Sequence, residues 1–312
     1  MEINNISHRK FMVTGATGRL GCEIVLRLEE LGASVFPLVL PGYYSTPKRI
    51  VWNCKTKPIF VNDQSDLHNL PVPDYLINLH WKVNRSLSFS HQLLYELDCN
   101  IHRLEFLWNW LKGKSLKRFI NLSSTKVFSH LNTNPIRASS EPRPVSPYGI
   151  AKKAAENFFD AVLCKSIFPV VHLRLCSVAS YGEHPSQLFS QLILSALNRQ
   201  KIKINVGHYS NILYIDDAID LIINAALEAK KRFYILAPER IKNDTIADVF
   251  KRITNSELNA DYIDLIPGIE DPLFINDIQK LSAGWIRKTT LDKMIQKLIS
   301  KYDNQTLCAN TL

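Results

Sequence analysis

The chain has 312 residues, a formal charge of +9 at pH 7 and a hydrophobic content of 46%. A chain of this length buries roughly three-quarters of its unfolded surface, which is enough for one large α/β domain or a domain with a smaller lobe. The positive charge favours anionic ligands through long-range attraction. Because the basic residues are spread along the chain without a recognised nucleic-acid-binding motif, nucleic acid is not an expected partner.

The cysteine, histidine and hydropathy patterns bear on disulfides, bound metal and membrane insertion. The six cysteines include no Cys-x-x-Cys pair and the nine histidines show no metal-ligand spacing, so reduced thiols and no bound metal are expected. The first ten residues lack the apolar core of a signal peptide, and no apolar run reaches the length of roughly 18 residues that spans a membrane. We therefore expect a cytoplasmic protein without a membrane span.

A glycine-rich turn stands near the start of the chain. Residues 10–13 have strand character and residues 22–31 have helical periodicity, with Thr-Gly-Ala-Thr-Gly-Arg-Leu-Gly between them. In a strand–turn–helix unit, Gly15 permits the tight turn, Gly18 lets the backbone approach a pyrophosphate and Gly21 lets the helix pack on the strand. The sequence therefore predicts a dinucleotide site formed by Gly15, Thr17, Gly18, Arg19, Leu20 and Gly21.

The end of the second predicted strand, residues 34–40, leaves the identity of the dinucleotide open. An acidic residue there binds the ribose 2′-hydroxyl of NAD, and an arginine accommodates the 2′-phosphate of NADP. This chain has Val39 and Leu40, which can do neither. Lys48 and Arg49 follow, either within reach of a phosphate or as a solvated basic pair, so NAD and NADP are not distinguished.

Strand-like and helix-like runs alternate up to residue 175, and this alternation is typical of a parallel sheet covered by helices on both faces. The fold class predicted is α/β, with a doubly wound parallel sheet. Further strands are predicted at residues 58–61, 75–79, 118–122 and 170–175, and helices at 87–112 and 148–165.

Beyond residue 175 the pattern is looser. A strand at 233–236 is expected to return to the main sheet. The other predicted elements are a strand at 201–206 and helices at 187–198, 216–229, 245–254 and 290–302.

Tyr148 and Lys152 lie four residues apart on a predicted helix, so their side chains share one face. A free phenol loses its proton near pH ~10, and a nearby ammonium group favours the phenolate and lowers this pKa. Such a pair can take a proton from an alcohol or return one to a ketone. Ser124, at the end of a predicted strand, offers a hydroxyl partner. We predict these three residues as the catalytic group.

Together these motifs resemble the extended short-chain dehydrogenase/reductase family, in the branch of sugar-nucleotide epimerases, dehydratases and reductases. The resemblance runs from about residue 10 to residue 302, with its motifs in the family's order. They are the glycine turn, Asp63, Asn100, Ser124, Glu141-Pro142, Tyr148 with Lys152, Leu173-Arg174, Tyr214-Ile215-Asp216-Asp217 and Gly284-Trp285.

The resemblance implies a role for each matching residue. Ser124 would bind the reacting substrate oxygen and Tyr148 would be the general acid/base. Lys152 would lower the pKa of Tyr148 and hold the nicotinamide ribose. Asp63 would hydrogen-bond the adenine, and Asn100 would lie behind the active site. With these, Leu79 and Tyr148 are expected among the residues that bind the cofactor.

The resemblance also implies a division of the chain. Residues 1–175, with 207–240 returning, would form a Rossmann domain that binds the dinucleotide. Residues 176–206 and 241–312 would form a smaller substrate-binding lobe. A homodimer through the helices at 87–112 and 148–165 is expected from the family.

Three departures from the family pattern bear on function. Thr125 and Lys126 stand where dehydratases carry Asp-Glu, which argues against a 4,6-dehydratase. His80-Trp81 replaces small residues beside the cofactor and puts the cofactor pose in doubt. Ser210-Asn211 replaces an Arg-Asp pair whose arginine binds the substrate diphosphate, and this weakens the case for a nucleotide-linked substrate.

These observations favour an NAD(P)-dependent epimerase of a nucleotide-activated sugar. One alternative is an NADPH-dependent reductase of a keto sugar or of a non-sugar carbonyl. The other is a non-catalytic nucleotide-binding protein of the same fold. Retention of all three candidate catalytic residues argues against the last, since binding alone does not require them.

Overall fold

The structure is a computed structural model that describes residues 6–40, 52–163, 168–264, 271–283 and 285–309. Lys48, Arg49 and Gly284, considered above, lie outside the described residues. The chain divides into two compact units. The first unit comprises Met1–Cys176, Ile219–Leu236 and Pro272–Trp285, and the second comprises Ser177–Ala218, Ala237–Asp271 and Ile286–Leu312.

The strands of the described residues form three sheets. In chain order they are β1 (Lys10–Thr14), β2 (Ser34–Val39), β3 (Ile59–Phe60), β4 (Tyr75–Asn78), β5 (Arg118–Ser124), β6 (Val170–Leu175), β7 (Ser177–Ala179), β8 (Ile202–Asn205), β9 (Tyr209–Tyr214), β10 (Phe233–Leu236), β11 (Arg240–Lys242) and β12 (Ala260–Ile263). The helices are α1 (Arg19–Glu30), α2 (Gln64–His68), α3 (Phe89–Leu111), α4 (Pro147–Leu163), α5 (Leu188–Asn198), α6 (Ile215–Glu228), α7 (Asn243–Thr254), α8 (Ile278–Leu281) and α9 (Leu291–Ala309).

The main sheet belongs to the first unit and has seven strands in the order β10-β6-β5-β4-β1-β2-β3. Every pairing in it is parallel. The order reverses between β1 and β4, and in sheets of this kind the crevice at the carboxyl ends of the strands beside that point is where ligands bind. The predicted doubly wound, Rossmann-like sheet is confirmed, including the return of the strand at 233–236.

The central strands are apolar on both faces because helices cover each side of the sheet. Phe11, Ile77 and Ile120, on β1, β4 and β5, are fully buried. Near-continuous apolar runs of this kind are typical of parallel strands that lie between two helical layers. Such burial leaves the carboxyl ends of the strands as the place where polar side chains gather.

A row of polar side chains crosses this sheet from strand to strand. Thr14 donates to Asn78 at 2.6 Å, and Asn78 donates to Asn121 at 3.2 Å. Asn121 is joined to His172 at 3.0 Å, and the other ring nitrogen of His172 lies 2.9 Å from Asp160. A one-residue slip in any pairing would break this row and bury unsatisfied polar groups, so it helps to fix the register.

A buried ion pair joins α4 to β6. The guanidinium of Arg174, 2% exposed, donates two hydrogen bonds of 2.9 Å to the fully buried Glu156. Ser123 donates a third at 2.7 Å. Burial raises the pKa of Glu156, but the hydrogen bonds and charge of Arg174 outweigh it and hold the pKa below its ordinary value. The carboxylate therefore stays charged inside the core.

The second unit contains two small sheets. One has the order β11-β9-β7, with β9 antiparallel to β11 and parallel to β7, and the other pairs β8 with β12. Residues 207–240 were expected to return to the nucleotide-binding domain. In the structure Ile219–Leu236 lies in the first unit, whereas β9 belongs to the second because it pairs with β7 and β11.

Replacing Glu156 with glutamine tests the buried ion pair. The substitution leaves the guanidinium of Arg174 buried without a counter-charge, and we expect the free energy of unfolding to fall by about 3 kcal/mol. Because the folded-state pKa of Glu156 is depressed, its stabilising contribution is present at neutral pH and is lost as pH falls below the unfolded-state value. Urea denaturation across this range is the measurement.

The matched control for that experiment is Glu105→Gln on the exposed face of α3. We expect it to change stability by less than about 0.5 kcal/mol. Equal stability of the Glu156→Gln variant and the control would contradict the assignment.

Candidate active site

The glycine turn after β1 is closely packed against β4 and its own helix. Gly15 has φ +68°, and a Cβ there would lie 2.9 Å from the amide nitrogen of His80 and 3.1 Å from the carbonyl carbon of Leu79. A Cβ at Gly21 would lie 2.2 Å from the carbonyl oxygen of Gly15. Any side chain at either position would therefore displace the backbone of the turn.

Helix α1 begins at this turn with its amino end suited to an anion. Its N-cap residue, Gly18, supplies no side chain, and no acidic residue lies in the first turn. Amide groups and the helix dipole at such an end favour a phosphate. Thr17 is buried, while Arg19 and Leu20 are partly exposed. These residues fit the pyrophosphate of a dinucleotide.

The adenosine side of the predicted site is less specific. Val39 and Leu40 are buried at the end of β2 and offer no group to a ribose hydroxyl. Asp63 caps α2, where its carboxylate accepts hydrogen bonds from the backbone and the hydroxyl of Ser65, and these bonds lower its pKa. Because Asp63 is exposed, its predicted contact with adenine stays a prediction.

Ser124, Tyr148 and Lys152 lie together at the carboxyl end of β5. Tyr148 is the second residue of α4, and a side-chain hydrogen bond joins it to Ser124. The ammonium nitrogen of Lys152 donates to the carbonyl oxygen of Leu122 at 2.9 Å and lies 5.7 Å from the centroid of the Tyr148 ring. The structure thus brings together the three residues that the sequence singled out.

Gly149 permits this close approach of α4 to the end of β5. A Cβ at this position would lie 2.1 Å from the carbonyl oxygen of Lys126. Since Gly149 directly follows Tyr148, the absence of its side chain lets the phenol reach the strand end where Ser124 lies. The glycine of the Tyr-Gly-Ile-Ala-Lys segment therefore has a steric function.

The lowered pKa expected for Tyr148 is not found in this structure. Burial raises the pKa of the phenol to about 12, and the charge of Glu96 adds to the rise. The hydrogen bond from Ser124 and the charges of Arg85 and Arg19 lower it by less. Desolvation outweighs these effects because protein atoms displace water around the phenolate, a charged form, even though the side chain is only partly buried. At neutral pH the phenol is protonated.

Burial has the opposite effect on the cation. It lowers the pKa of Lys152 to about 7, while Glu96 and Glu156 raise it. The side chain is 4% exposed. Lys152 therefore titrates near neutrality, a property common among lysines placed for proton transfer.

Asn100 fixes the segment that follows β4. Its side chain accepts a hydrogen bond from the amide of Lys82 at 2.8 Å and donates to the carbonyl oxygens of Lys82 and Glu96 at 2.9 and 2.8 Å. These bonds occupy both ends of the buried amide. Support from behind the site agrees with its predicted role, whereas direct cofactor binding by Asn100 stays a prediction.

Trp81 and Glu96 lie near Lys152 and were not among the predicted site residues. The ring of Trp81 lies 3.8 Å from the ammonium nitrogen of Lys152, and its indole nitrogen donates to Glu96 at 3.2 Å. Trp81 was noted only for its size. Glu96 was missed, although it lies one helical turn before Asn100 and so shares its face of α3.

The fold and site define a dinucleotide-binding α/β protein with a serine–tyrosine–lysine group at the carboxyl edge of its sheet. Residues 11–237 match the NAD dependent epimerase/dehydratase family. The chain belongs to this family of NAD-dependent, oxidoreductase-type enzymes, and the predicted resemblance to extended short-chain dehydrogenases/reductases is confirmed.

A curated relative and several solved structures are similar to the chain. It is 25% identical to the trifunctional UDP-glucose 4,6-dehydratase/UDP-4-keto-6-deoxy-D-glucose 3,5-epimerase/UDP-4-keto-L-rhamnose-reductase of Arabidopsis thaliana, over 94% of this chain and 47% of the relative. The chain thus spans about half the length of that protein.

Two of the solved structures are sugar-nucleotide epimerases. UDP-glucose 4-epimerase of Thermotoga maritima, solved with UDP-glucose, has a TM-score of 0.80 at 19% identity and covers 95% of this chain and 99% of its own. UDP-glucuronic acid 4-epimerase of Bacillus cereus, solved with UDP-glucuronic acid and NAD, has 0.76 at 21% over the same shares. These likenesses show the fold.

In the described part of the chain, no helix combines the length and apolar character needed to cross a membrane. Within the same residues, no group of three or more histidine, cysteine, aspartate or glutamate side chains is placed to hold a metal ion. A cytoplasmic location stays a prediction.

Replacing Gly15 with alanine tests the close packing of the turn. The left-handed backbone alone costs a non-glycine residue about 1–2 kcal/mol. The clash with the backbone of Leu79 and His80 should add about 1–3 kcal/mol to the loss in the free energy of unfolding. Urea denaturation measures both.

The matched control is Gly113→Ala, because Gly113 has φ +78° with no atom within 4 Å of the added Cβ. It should show the backbone cost alone. If both variants lose the same stability, the turn is not closely packed against β4.

Proposed function

We propose that this chain is an NAD-dependent epimerase of a nucleotide-activated sugar, and that Ser124, Tyr148 and Lys152 carry the reaction. The observation that supports this most is the hydrogen bond between Ser124 and Tyr148, with the ammonium of Lys152 5.7 Å from the phenol ring. These groups lie at the carboxyl edge of a sheet whose first turn suits a dinucleotide.

The cofactor would be held by the glycine turn and its surroundings. Gly15 and Gly21 let the turn pack closely against Leu79 and His80 and against its own helix, and the amino end of α1 would offer its amides to the pyrophosphate. Thr17, Arg19, Leu20, Asp63, Leu79, Asn100, Tyr148 and Lys152 complete the proposed set. We favour NAD over NADP because the family is named for NAD and the similar Bacillus cereus epimerase was solved with it.

When bound, the dinucleotide supplies an acceptor and donor of hydride. The chain's own residues handle the proton and the oxygen. Ser124 would hydrogen-bond the reacting oxygen of the sugar, while Tyr148, as its phenolate, would take the sugar's proton as a carbonyl forms and return it as the carbonyl is reduced. Because the phenol is protonated at neutral pH, its own proton would first pass to a base, and the neutral amine form of Lys152 is the base beside it. Lys152 would stabilise negative charge as it develops on the phenol.

A UDP-sugar is the substrate class that we propose. UDP-sugars appear in the names of three similar proteins: the epimerases of Thermotoga maritima and Bacillus cereus and the relative of Arabidopsis thaliana. The positive charge of this chain suits a diphosphate. Thr125 and Lys126, in place of Asp-Glu, argue against the dehydratase activity in the relative's name. We assign substrate binding to the second unit, and homodimer formation to α3 and α4.

Reduction of a keto sugar or another carbonyl is the second candidate. The raised pKa of Tyr148, about 12, favours it, because a phenol that is protonated at neutral pH is ready to donate to a carbonyl oxygen. Epimerisation requires the phenol both to accept and to donate. The two functions differ in whether reduced cofactor is consumed.

The Tyr148→Phe variant tests the assigned acid/base. Loss of the phenol hydroxyl should lower kcat by roughly 100- to 10,000-fold while NAD binding, measured by calorimetry, is retained. The reaction of a panel of UDP-sugars is followed by NMR of the product isomers, with the absorbance of the reduced cofactor recorded in parallel. Product isomers without net cofactor change indicate epimerisation, and stoichiometric cofactor oxidation indicates reduction.

The control is Tyr262→Phe, at a half-exposed tyrosine of β12, which should leave kcat unchanged. Wild-type turnover by Tyr148→Phe would exclude the proposed acid/base.

A further inference from the structure

The ammonium of Lys152 lies against a carbonyl oxygen and an indole ring. Its nitrogen donates to the carbonyl oxygen of Leu122 at 2.9 Å and lies 3.8 Å from the centroid of the Trp81 ring. The Tyr148 ring stands edge-on to Trp81, with ring centroids 6.2 Å apart and planes at 87°. An ammonium over the face of an indole is attracted by the ring's quadrupole, most strongly where water is excluded.

Hydrogen bonds hold Trp81 in this position. Its indole nitrogen donates to one oxygen of Glu96 at 3.2 Å, and Gln92 donates to the other at 2.7 Å. Asn100 binds the backbone of Lys82, the residue directly after Trp81. Side chain and backbone are therefore both fixed by α3, so the indole has a defined position over Lys152.

Glu96 is a fully buried carboxylate whose oxygens accept from neutral donors. Glu156 is the other carboxylate that acts on Lys152, and it binds Arg174 through two hydrogen bonds of 2.9 Å. Glu156 is already paired with a guanidinium, whereas Glu96 accepts from neutral donors, and of the two carboxylates Glu96 has the larger effect on Lys152.

We propose that Trp81 and Glu96 are positioning residues for Lys152, in which the indole holds the ammonium against its face and the buried carboxylate balances its charge. This rests on the proposed function, in which Lys152 is the cation of the acid–base pair. The proposal adds Trp81, on the segment after β4, and Glu96, on α3, to the residues that position Lys152 for its work with Tyr148.

The two carboxylates near Lys152 both favour its charged form. Burial lowers the pKa of Lys152, and Glu96 on α3 and Glu156 on α4 raise it. His80, at the end of β4, has its pKa lowered to about 3 by burial and by the charges of Arg103, Lys152 and Lys82, so it is neutral and adds no positive charge. Glu96 also raises the pKa of Tyr148. One carboxylate thus acts on both members of the pair.

The titration of Lys152 itself tests the role of Glu96. Protein labelled with carbon-13 at the lysine ε position is titrated by NMR, and Lys152→Arg assigns the signal. In Glu96→Gln the midpoint should fall by about one pH unit, because a buried opposite charge is removed while a hydrogen-bond acceptor is kept. Glu96→Asp, which retains the charge, should restore the wild-type midpoint.

Glu105→Gln, on the exposed face of the same helix, is the control and should leave the midpoint unchanged. An unchanged midpoint in Glu96→Gln would overturn the role of the carboxylate.

The same spectra test the indole. Protons on the ε carbon of Lys152 should be shifted upfield by the Trp81 ring, and Trp81→Leu should abolish the shift, whereas Trp52→Leu should leave it. Absence of an upfield shift in the wild type would overturn the role of Trp81.

These measurements need neither cofactor nor substrate, so their failure is distinct from failure of the proposed function. Normal turnover by Tyr148→Phe would reject the function and leave the Lys152 titration as it is. An unchanged titration beside an inactive Tyr148→Phe would reject only the positioning role.

Discussion

The burial of the Lys152 ammonium is the constraint on which the candidate site depends. A buried cation is unfavourable unless its N–H groups find hydrogen-bond acceptors and an opposite charge lies nearby. Here the carbonyl of Leu122, the face of Trp81 and the charge of Glu96 offset part of that cost, and the pKa of Lys152 is still lowered to about 7. Because these groups come from β5, the end of β4 and α3, satisfying one ammonium ties α4 to the strand end where Ser124 lies.

Helix α4 joins the chemistry of the site to the stability of the sheet. Tyr148, Lys152, Glu156 and Asp160 recur every four residues, so they form one polar stripe along the helix. The first two reach the carboxyl end of β5, and the last two bind Arg174 and His172 of β6. The Glu156–Arg174 ion pair and the Asp160–His172 contact therefore help to set the position of the helix that carries the phenol.

Much of this arrangement was predictable from local patterns. Alternating strands and helices predicted the parallel sheet, the spacing of glycines predicted the turn after β1, and the four-residue spacing predicted that Tyr148 and Lys152 share a face. The strand β9 was missed because its pairing with β7 and β11 depends on residues distant in the chain.

The pKa of Tyr148 could not be predicted from spacing, because burial of the phenol outweighs the charges around it. The contact of Trp81 with Lys152 and Glu96 likewise depends on how β4 and α3 pack. A bulky residue at the end of β4 indicated only that the site departs from its family. In the structure the ring of Trp81 lies against the ammonium of Lys152, a residue that the sequence had already identified.

The most direct test is whether the bound dinucleotide is reduced by a sugar at this site. Wild-type protein loaded with NAD is mixed rapidly with UDP-sugars, and the near-ultraviolet absorbance of reduced nicotinamide is followed in a single turnover. We expect that one UDP-sugar produces this absorbance and that Tyr148→Phe, loaded equally, does not. Reduction at equal rates in both proteins, or NAD that stays oxidised with every UDP-sugar, would contradict this expectation.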